Sequence, residues 1–283
     1  MPPTVSLCMI VKNEGPQLAA CLRAALPVVS EVVVVDTGST DDTIAVATSF
    51  GARLSTFDFR RPDFAGARNH SLELATGDWI LVLDADERLA SGAPATVAEL
   101  CQEGENVGYV VQRRNLRAGA AEGLTDHAVR LFRNRRGTYY RGRVHETVDA
   151  SILAAGGQIR TTPLTIEHLL PPDDGRSLDK SRFYLGILEE ELAEAPDDID
   201  RLSFRRAELH KLGLLDEASR TAERVVELEP GDPSHHVHAG LYRLVHHHDV
   251  AGAERAFRQA LALRPDDARA LACLRALPPA AAE

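Results

Sequence analysis

Residues 78–87 read DWILVLDADE, a run of five apolar residues from Trp79 to Leu83 that ends in Asp84, Ala85 and Asp86. A short apolar run bounded by acids reads as a buried strand. Along a strand end, residues two apart point the same way, so both carboxylates can face one ion. Mg²⁺ and Mn²⁺ take such hard oxygen ligands and keep open positions for phosphate oxygens. A lone Asp-x-Asp triplet recurs by chance in solvated turns, and what weights this one is its place at the end of a fourth strand run.

Working outward, SLCMIVK (6–12), EVVVVD (31–36) and ARLSTFD (52–58) read as strands. Between them, QLAACLRAAL (17–26), DDTIAVATSF (41–50) and FAGARNHSLELA (64–75) read as helices of about ten residues. That alternation predicts βαβ units and a mostly parallel sheet, whose ligands sit outside the C-terminal strand ends. Asp36 and Asp84 both fall at such ends. Asp36 could accept hydrogen bonds from a nucleotide base or ribose, while Ser39 to Asp42 cap the next helix; the plainer reading is a turn and N-cap only. Further on, GYVVQRRN (108–115), AVRLFRN (128–134) and TYYRGRVHETV (138–148) are expected to complete the sheet as strands and to receive the acceptor.

The turn-rich PPDDGR at 171–176 divides the chain into domains 1–175 and 176–283, the second all helix-forming. Pro196, Pro230 and Pro265 are spaced 34 and 35 apart, and DEASRTAERVVELEP aligns with AGAERAFRQALALRP. This period, with the small Ala218 and Ala253 at the expected helix crossings, together with Gly213, Phe257 and Ala260, is the tetratricopeptide pattern. His235, His236, His238 and His246 to His248 are read as an exposed face of the repeats, since consecutive histidines on a helix diverge.

At 283 residues, 44% hydrophobic and 26% charged, the composition is that of an ordinary globular chain, without an apolar run of membrane-spanning length. Net charge of −10 argues against a nucleic-acid polymer as partner. Cys8, Cys21, Cys101 and Cys273 form no CxxC pair and read as buried reduced thiols. MPPTVSLCMIVKNEG has no basic n-region and reads as a first strand rather than a signal peptide, so a cytoplasmic location is expected, compatible with peripheral attachment at the inner face of a membrane.

In order, SLCMIVKNE, VVVDTGSTDDT, FAGARN, GDWILVLDADE, RLFR and VHE, followed by the repeats, closely resemble the family 2 glycosyltransferases, in the branch of bacterial β-glucosyltransferases of lipooligosaccharide assembly. The resemblance covers residues 5–170. It implies the GT-A nucleotide-diphospho-sugar transferase fold, an α/β Rossmann-like sheet, here followed by an all-α tetratricopeptide-like domain. It further implies an inverting transfer from a nucleotide-diphospho-sugar, a uridine one first, to a glycan, lipid-linked or protein acceptor, with Mn²⁺ or Mg²⁺ as cofactor. On this reading Asp36 contacts the base, and Asn13 and Glu14 line the same pocket. Arg68 and Asn69 lie near the donor with Arg68 on its phosphates, Asp84 sits near ribose or metal, Asp86 is the direct metal ligand, and Arg130 matches the family's RLFR position. Glu146 in VHE is the positional match for the base, with Asp126 in LTDH as second candidate; His168 in TIEHLLPP is a candidate third metal ligand. The repeats could recruit a partner protein. Two rival readings are a scaffold that has lost activity and a nucleotidyltransferase, which would carry a Gly-rich basic loop where this chain has KNEGPQL.

Overall fold

The structure, a computed structural model, describes residues 2–102, 107–117, 124–170 and 176–278. The chain forms two compact units, Met1–Pro172 and Asp173–Glu283. Of the PPDDGR break expected to part the domains, residues 171–175 lie outside the described residues. Among the described residues, no helix is long and apolar enough to cross a membrane.

The first unit runs β1 (Val5–Val11), α1 (Gly15–Ala25), β2 (Glu31–Asp36), α2 (Thr43–Ser49), β3 (Arg53–Thr56), α3 (Phe64–Leu74), β4 (Trp79–Val82), β5 (Glu87–Leu89), α4 (Ala93–Leu100), β6 (Val107–Arg117), β7 (Thr125–Arg133), α5 (Asp149–Ala154) and β8 (Gln158–Leu170). These strands make one eight-stranded sheet in the order β3-β2-β1-β4-β7-β6-β8-β5. The first four are parallel, whereas β7 is antiparallel to both β4 and β6. Because side chains alternate across a strand, the sheet has two cores. Leu7, Met9, Val32, Val34 and Leu81 pack with Leu18 and Leu22 of α1 and Val97 of α4. Cys8, Val33, Ile80 and Val82 pack on the other face with Ala65 of α3 and Ile152 of α5. Both faces being covered, the first strands read as continuous apolar runs.

One expected strand is absent: of TYYRGRVHETV, only an isolated bridge between Arg141 and Thr147 pairs as in a sheet. Gly142 (φ 91°) and His145 (φ 51°) turn the backbone into the left-handed region, closing this stretch into a tight loop. The strand that does complete the sheet is the 13-residue β8, which pairs in parallel with β6.

At the start of β4, Gly77 has a steric reason: a Cβ there would stand 2.6 Å from Ser6 Oγ and 2.8 Å from Ser6 N. The Glu31 carboxylate gathers Ser6 Oγ and the N–H groups of Thr76 and Gly77. Burial raises its pKa, but these donors outweigh burial and the net shift is downward. A depressed acid stabilises the fold fully above its unfolded pKa and ceases to do so as pH falls through the folded value. Glu31→Gln is therefore expected to lower stability at pH 7 by about 1–3 kcal/mol and to lose that deficit below about pH 4, read by urea unfolding at both pH values. An equal deficit at both would mean that the charge is not what matters.

The buried thiols are inert by environment: burial pushes both Cys8 and Cys101 up to about 12.

The second unit is helical: α6 (Arg176–Glu194), α7 (Ile199–Lys211), α8 (Leu215–Leu228), α9 (Pro233–Val245), α10 (Val250–Leu263) and α11 (Ala268–Arg275). The proline period coincides with a capping period. Asp198, Asp232 and Asp267 each follow one of the three prolines by two residues and accept a backbone N–H from the first turn of α7, α9 and α11. Ala218 and Ala253 are fully buried. At Gly240 a Cβ would meet the Phe257 ring at 2.6 Å, so α9 and α10 approach closely there.

Candidate active site

The loops after β1 and β2 form one side of the site and are stitched together. Asn13, at φ 56°, donates its N–H to Ser39 Oγ (2.9 Å) and accepts Thr40 N–H on Oδ1 (2.7 Å). Glu14 N donates to Thr43 Oγ1 (2.7 Å). Asp36 is 4% exposed and its carboxylate accepts Gly38 N–H and Ser39 N–H at 3.0 Å, with Gly38 at φ 109°. The expected helix cap is arranged differently: Asp42 occupies the N-cap position without a side-chain cap bond, and Asp41 receives Thr43 N–H at 3.0 Å.

The Asp84–Asp86 segment departs from the expected strand-end geometry. β4 ends at Val82, and Asp84 to Glu87 form a turn closed by Glu87 N–H to Asp84 O (2.9 Å). In a turn the two-residue periodicity no longer applies, so the carboxylates part company. Asp84 accepts Arg68 Nη2 on Oδ1 (2.8 Å) and Arg130 Nη2 on Oδ2 (3.0 Å). Asp86 Oδ2 faces His168 Nε2 at 3.2 Å, and Asp86 O accepts Leu169 N–H at 2.9 Å.

Around this turn the sheet register assembles a chain of alternating charge. Arg68, on α3, also donates Nε to Glu146 Oε1 (2.7 Å). Arg130 also donates to Glu87 Oε1 (2.9 Å), which in turn accepts Arg113 Nη1 (3.1 Å). Arg113 grips Asp126 with Nε (2.7 Å) and Nη2 (2.9 Å). Asn115 Nδ2 donates to Asp126 Oδ2 (3.0 Å) and to Leu124 O (2.9 Å), and Asn115 Oδ1 lies 2.7 Å from His168 Nδ1. Five carboxylates against three guanidiniums leave two negative charges along the chain.

That sequence of bonds fixes a tautomer. Because both neighbours of Asn115 Nδ2 are acceptors, Oδ1 must face His168, so Nδ1 carries the proton. With Nδ1 turned to Asn115, Nε2 faces Asp86 Oδ2, and a cation between them would draw on an imidazole nitrogen and a carboxylate oxygen at once. Two ligands at about 2.1 Å and a right angle stand about 3 Å apart, which suits the 3.2 Å separation. Asp86 and His168 therefore fit a divalent ion, with Asn115 orienting the imidazole from behind. Both oxygens of Asp84 are engaged by guanidiniums.

Electrostatics follow position. Burial would raise Asp84, but Arg68 and Arg130 outweigh it and hold the carboxyl well below the usual range. Burial pushes Glu87 up. Arg68, the expected phosphate contact, is 6% exposed, its Nη1 is a buried donor without a partner, and its guanidinium lies 5.7 Å from the Tyr140 ring. Asn69 exchanges hydrogen bonds with the Tyr140 backbone at 2.7 and 3.0 Å. Arg143 Nε on Pro62 O (2.8 Å) ties the same loop to the start of α3. These ties set Glu146 opposite Arg68.

Glu87, Arg113 and Asn115 were not singled out by sequence. Glu87 is fully buried and its Oε2 accepts Asp84 N–H at 2.9 Å. In Glu87→Gln an amide NH₂ would face either that N–H or the arginines. The variant is expected to lose about 1.5–3 kcal/mol in urea unfolding by loosening the turn; unaltered stability would show that the turn holds itself.

The arginines from Arg130 to Arg143 face different partners, Arg130 on Asp84 and Glu87 and Arg143 on Pro62 O. Arg133, Arg135 and Arg136 line an open cavity of about 650 Å³ by Asp78, at the end of β4 away from Asp84.

The sequence model of Glycosyl transferase family 2 matches residues 6–157. A TPR repeat-containing protein of Synechococcus elongatus is 43% identical over 150 residues, 53% of this chain and 36% of that protein. The SPbeta prophage-derived glycosyltransferase SunS of Bacillus subtilis is 26% identical over 238 residues, 76% of this chain and 51% of that protein. The chain thus matches about half, or less, of the length of these curated relatives. S. aureus TarS 1–349 resembles it in fold, with a TM-score of 0.51 at 13% identity over 90% of this chain and 91% of that one.

Proposed function

Since the chain belongs to glycosyl transferase family 2, we propose that it moves a sugar from a uridine or similar diphospho-sugar to an acceptor hydroxyl with inversion. The observation that supports this reading is the Asp86–His168 pair, 3.2 Å apart, beside the Asp84–Arg68–Glu146 cluster. The base of the nucleotide is assigned to Asp36 and the Asn13–Glu14 loop. β1 separates β2 from β4, which sets these groups about 10 Å from the diphosphate end.

Asp86 and His168 would hold Mn²⁺ or Mg²⁺, which when bound supplies positive charge to the departing diphosphate. Glu146 takes the proton from the acceptor hydroxyl as that oxygen bonds to the anomeric carbon. The bond from that carbon to the diphosphate oxygen breaks and its electron pair leaves with the nucleotide. Displacement from the opposite face turns an α-linked donor into a β-linked product. Arg68 fixes Glu146 and Asp84, and Arg130 fixes Asp84 from its second oxygen. The acceptor is a glycan, lipid-linked or protein hydroxyl. The helical unit is assigned to recruiting it or a partner protein, so deleting residues 178–283 is expected to lower acceptor turnover more than donor affinity.

Calorimetric titration with nucleoside diphosphates and their sugars, with and without Mn²⁺, tests the reading. UDP is the first probe, because the TarS fragment has been solved with it. Metal-dependent binding of one nucleoside diphosphate, lost in Asp86→Ala, is expected. Absence of binding to every nucleotide would leave a scaffold without donor site; preference for a triphosphate would point to nucleotidyl transfer.

A further inference from the structure

The histidines at the end of α9 do not diverge as they would on a helix. α9 stops at Val245, and the N–H groups of both His246 and His247 converge on Tyr242 O at 3.0 and 3.1 Å. His248 then enters the left-handed region at φ 55°, and Asp249 N–H closes on Arg243 O at 2.8 Å. This unwinding brings the His246 and His247 rings to a centroid distance of 4.6 Å. Both reach the same face of α8: His246 Nε2 lies 2.7 Å from Asp216 Oδ1 and His247 Nε2 lies 2.9 Å from Ser219 Oγ, with Ser219 three residues beyond Asp216. One ligand atom from each of Asp216, His246 and His247 lies within 4.8 Å of the others.

We propose that Asp216, His246 and His247 form a second metal site, in the helical unit, for a borderline divalent transition ion such as Zn²⁺, Ni²⁺ or Cu²⁺. Two imidazoles and one carboxylate are the donor set such ions prefer, whereas Mg²⁺ and Mn²⁺ favour oxygen. The proposal is independent of the glycosyltransferase reading. Binding replaces the hydrogen bond between His246 and Asp216, and His247 exchanges its bond to Ser219 for the ion. Three protein ligands leave a fourth position for water or for a donor from another molecule. The ion would pin the α9–α10 turn to the first turn of α8. A second group, Glu229, Asp232 and His235, is a poorer site, because it has one imidazole and Asp232 caps α9.

The test is calorimetric titration of the full chain carrying Asp86→Ala, which removes the Asp86–His168 pair of the first unit, with Ni²⁺ in excess Mg²⁺. Binding is expected, and His246→Ala, His247→Ala and Asp216→Asn should each weaken it at least about tenfold, while His235→Ala leaves it unchanged. Since two of the three ligands are largely solvent-facing, these variants should fold; circular dichroism checks it. With Cu²⁺, electron paramagnetic resonance should show two equatorial nitrogens in the wild type and one in His247→Ala. Unchanged titration in all three ligand variants, displacement of Ni²⁺ by Mg²⁺, or loss on His235→Ala would each overturn the proposal.

Discussion

Arg68→Ala is expected to lower folding stability by about 3–5 kcal/mol at pH 7 and to abolish transfer, because it strips one guanidinium from two carboxylates at once. Arg68 is 6% exposed, so water cannot readily take its place on Asp84 and Glu146. Asp84 keeps Arg130; among the described residues, Glu146 keeps no arginine. The pH dependence separates charge from packing. Asp84 is depressed in the fold, so its contribution is full above the unfolded value of about 4 and declines as pH falls through the folded one. Arg68→Ala brings the folded value back toward the unfolded one. The gap between wild type and variant, measured by urea unfolding, should therefore narrow from pH 7 to pH 2.5. A gap of constant size would assign the loss to the vacated volume beside Tyr140 instead. Arg68→Lys is the companion variant: a point charge cannot reach both carboxylates in the fork geometry, so activity should stay low while stability recovers in part.

What the sequence disclosed depended on whether the deciding contacts were local. SLCMIVK, EVVVVD and DWILV announced buried parallel strands because both faces of β1, β2 and β4 are covered, which leaves no polar alternation to confuse the reading. TYYRGRVHETV carries a similar share of β-branched and aromatic residues, yet Tyr140, Val144 and Val148 use them to bury a loop. The partners of the acidic turn were hidden for a different reason. Arg113 meets Asp126 through antiparallel register, and Asn115 meets His168 through a parallel pairing more than fifty residues apart. Nothing local in QRRN marks Arg113, and only the sheet shows it turned toward the buried Glu87. His246 and His247 were misread because divergence assumes that the helix continues, and this one ends at Val245.

The choice of base is where sequence left two candidates, and geometry separates them. Glu146→Gln is expected to lower kcat about 100- to 10,000-fold with nucleotide affinity retained, whereas Asp126→Asn should cost less than about tenfold. Asp126 is gripped by two nitrogens of Arg113 and by Asn115. Burial raises its pKa, but those partners outweigh it and hold the carboxyl below its ordinary value, which makes a weaker proton acceptor. Glu146 is held through Oε1 alone; among the described residues, Oε2 has no protein partner. Its side chain is 15% exposed against 44% for Asp126, so a proton taken there is better shielded from water. The His145 backbone at φ 51° presents this carboxylate on a loop tied to α3, a strained placement that packing alone does not require. The measurement is single-turnover transfer beside calorimetric donor binding, so that a chemical defect is told from a binding one. Collapse of kcat in Asp126→Asn with Glu146→Gln near wild type would move the base to β7 and leave Glu146 as the counter-charge that holds Arg68.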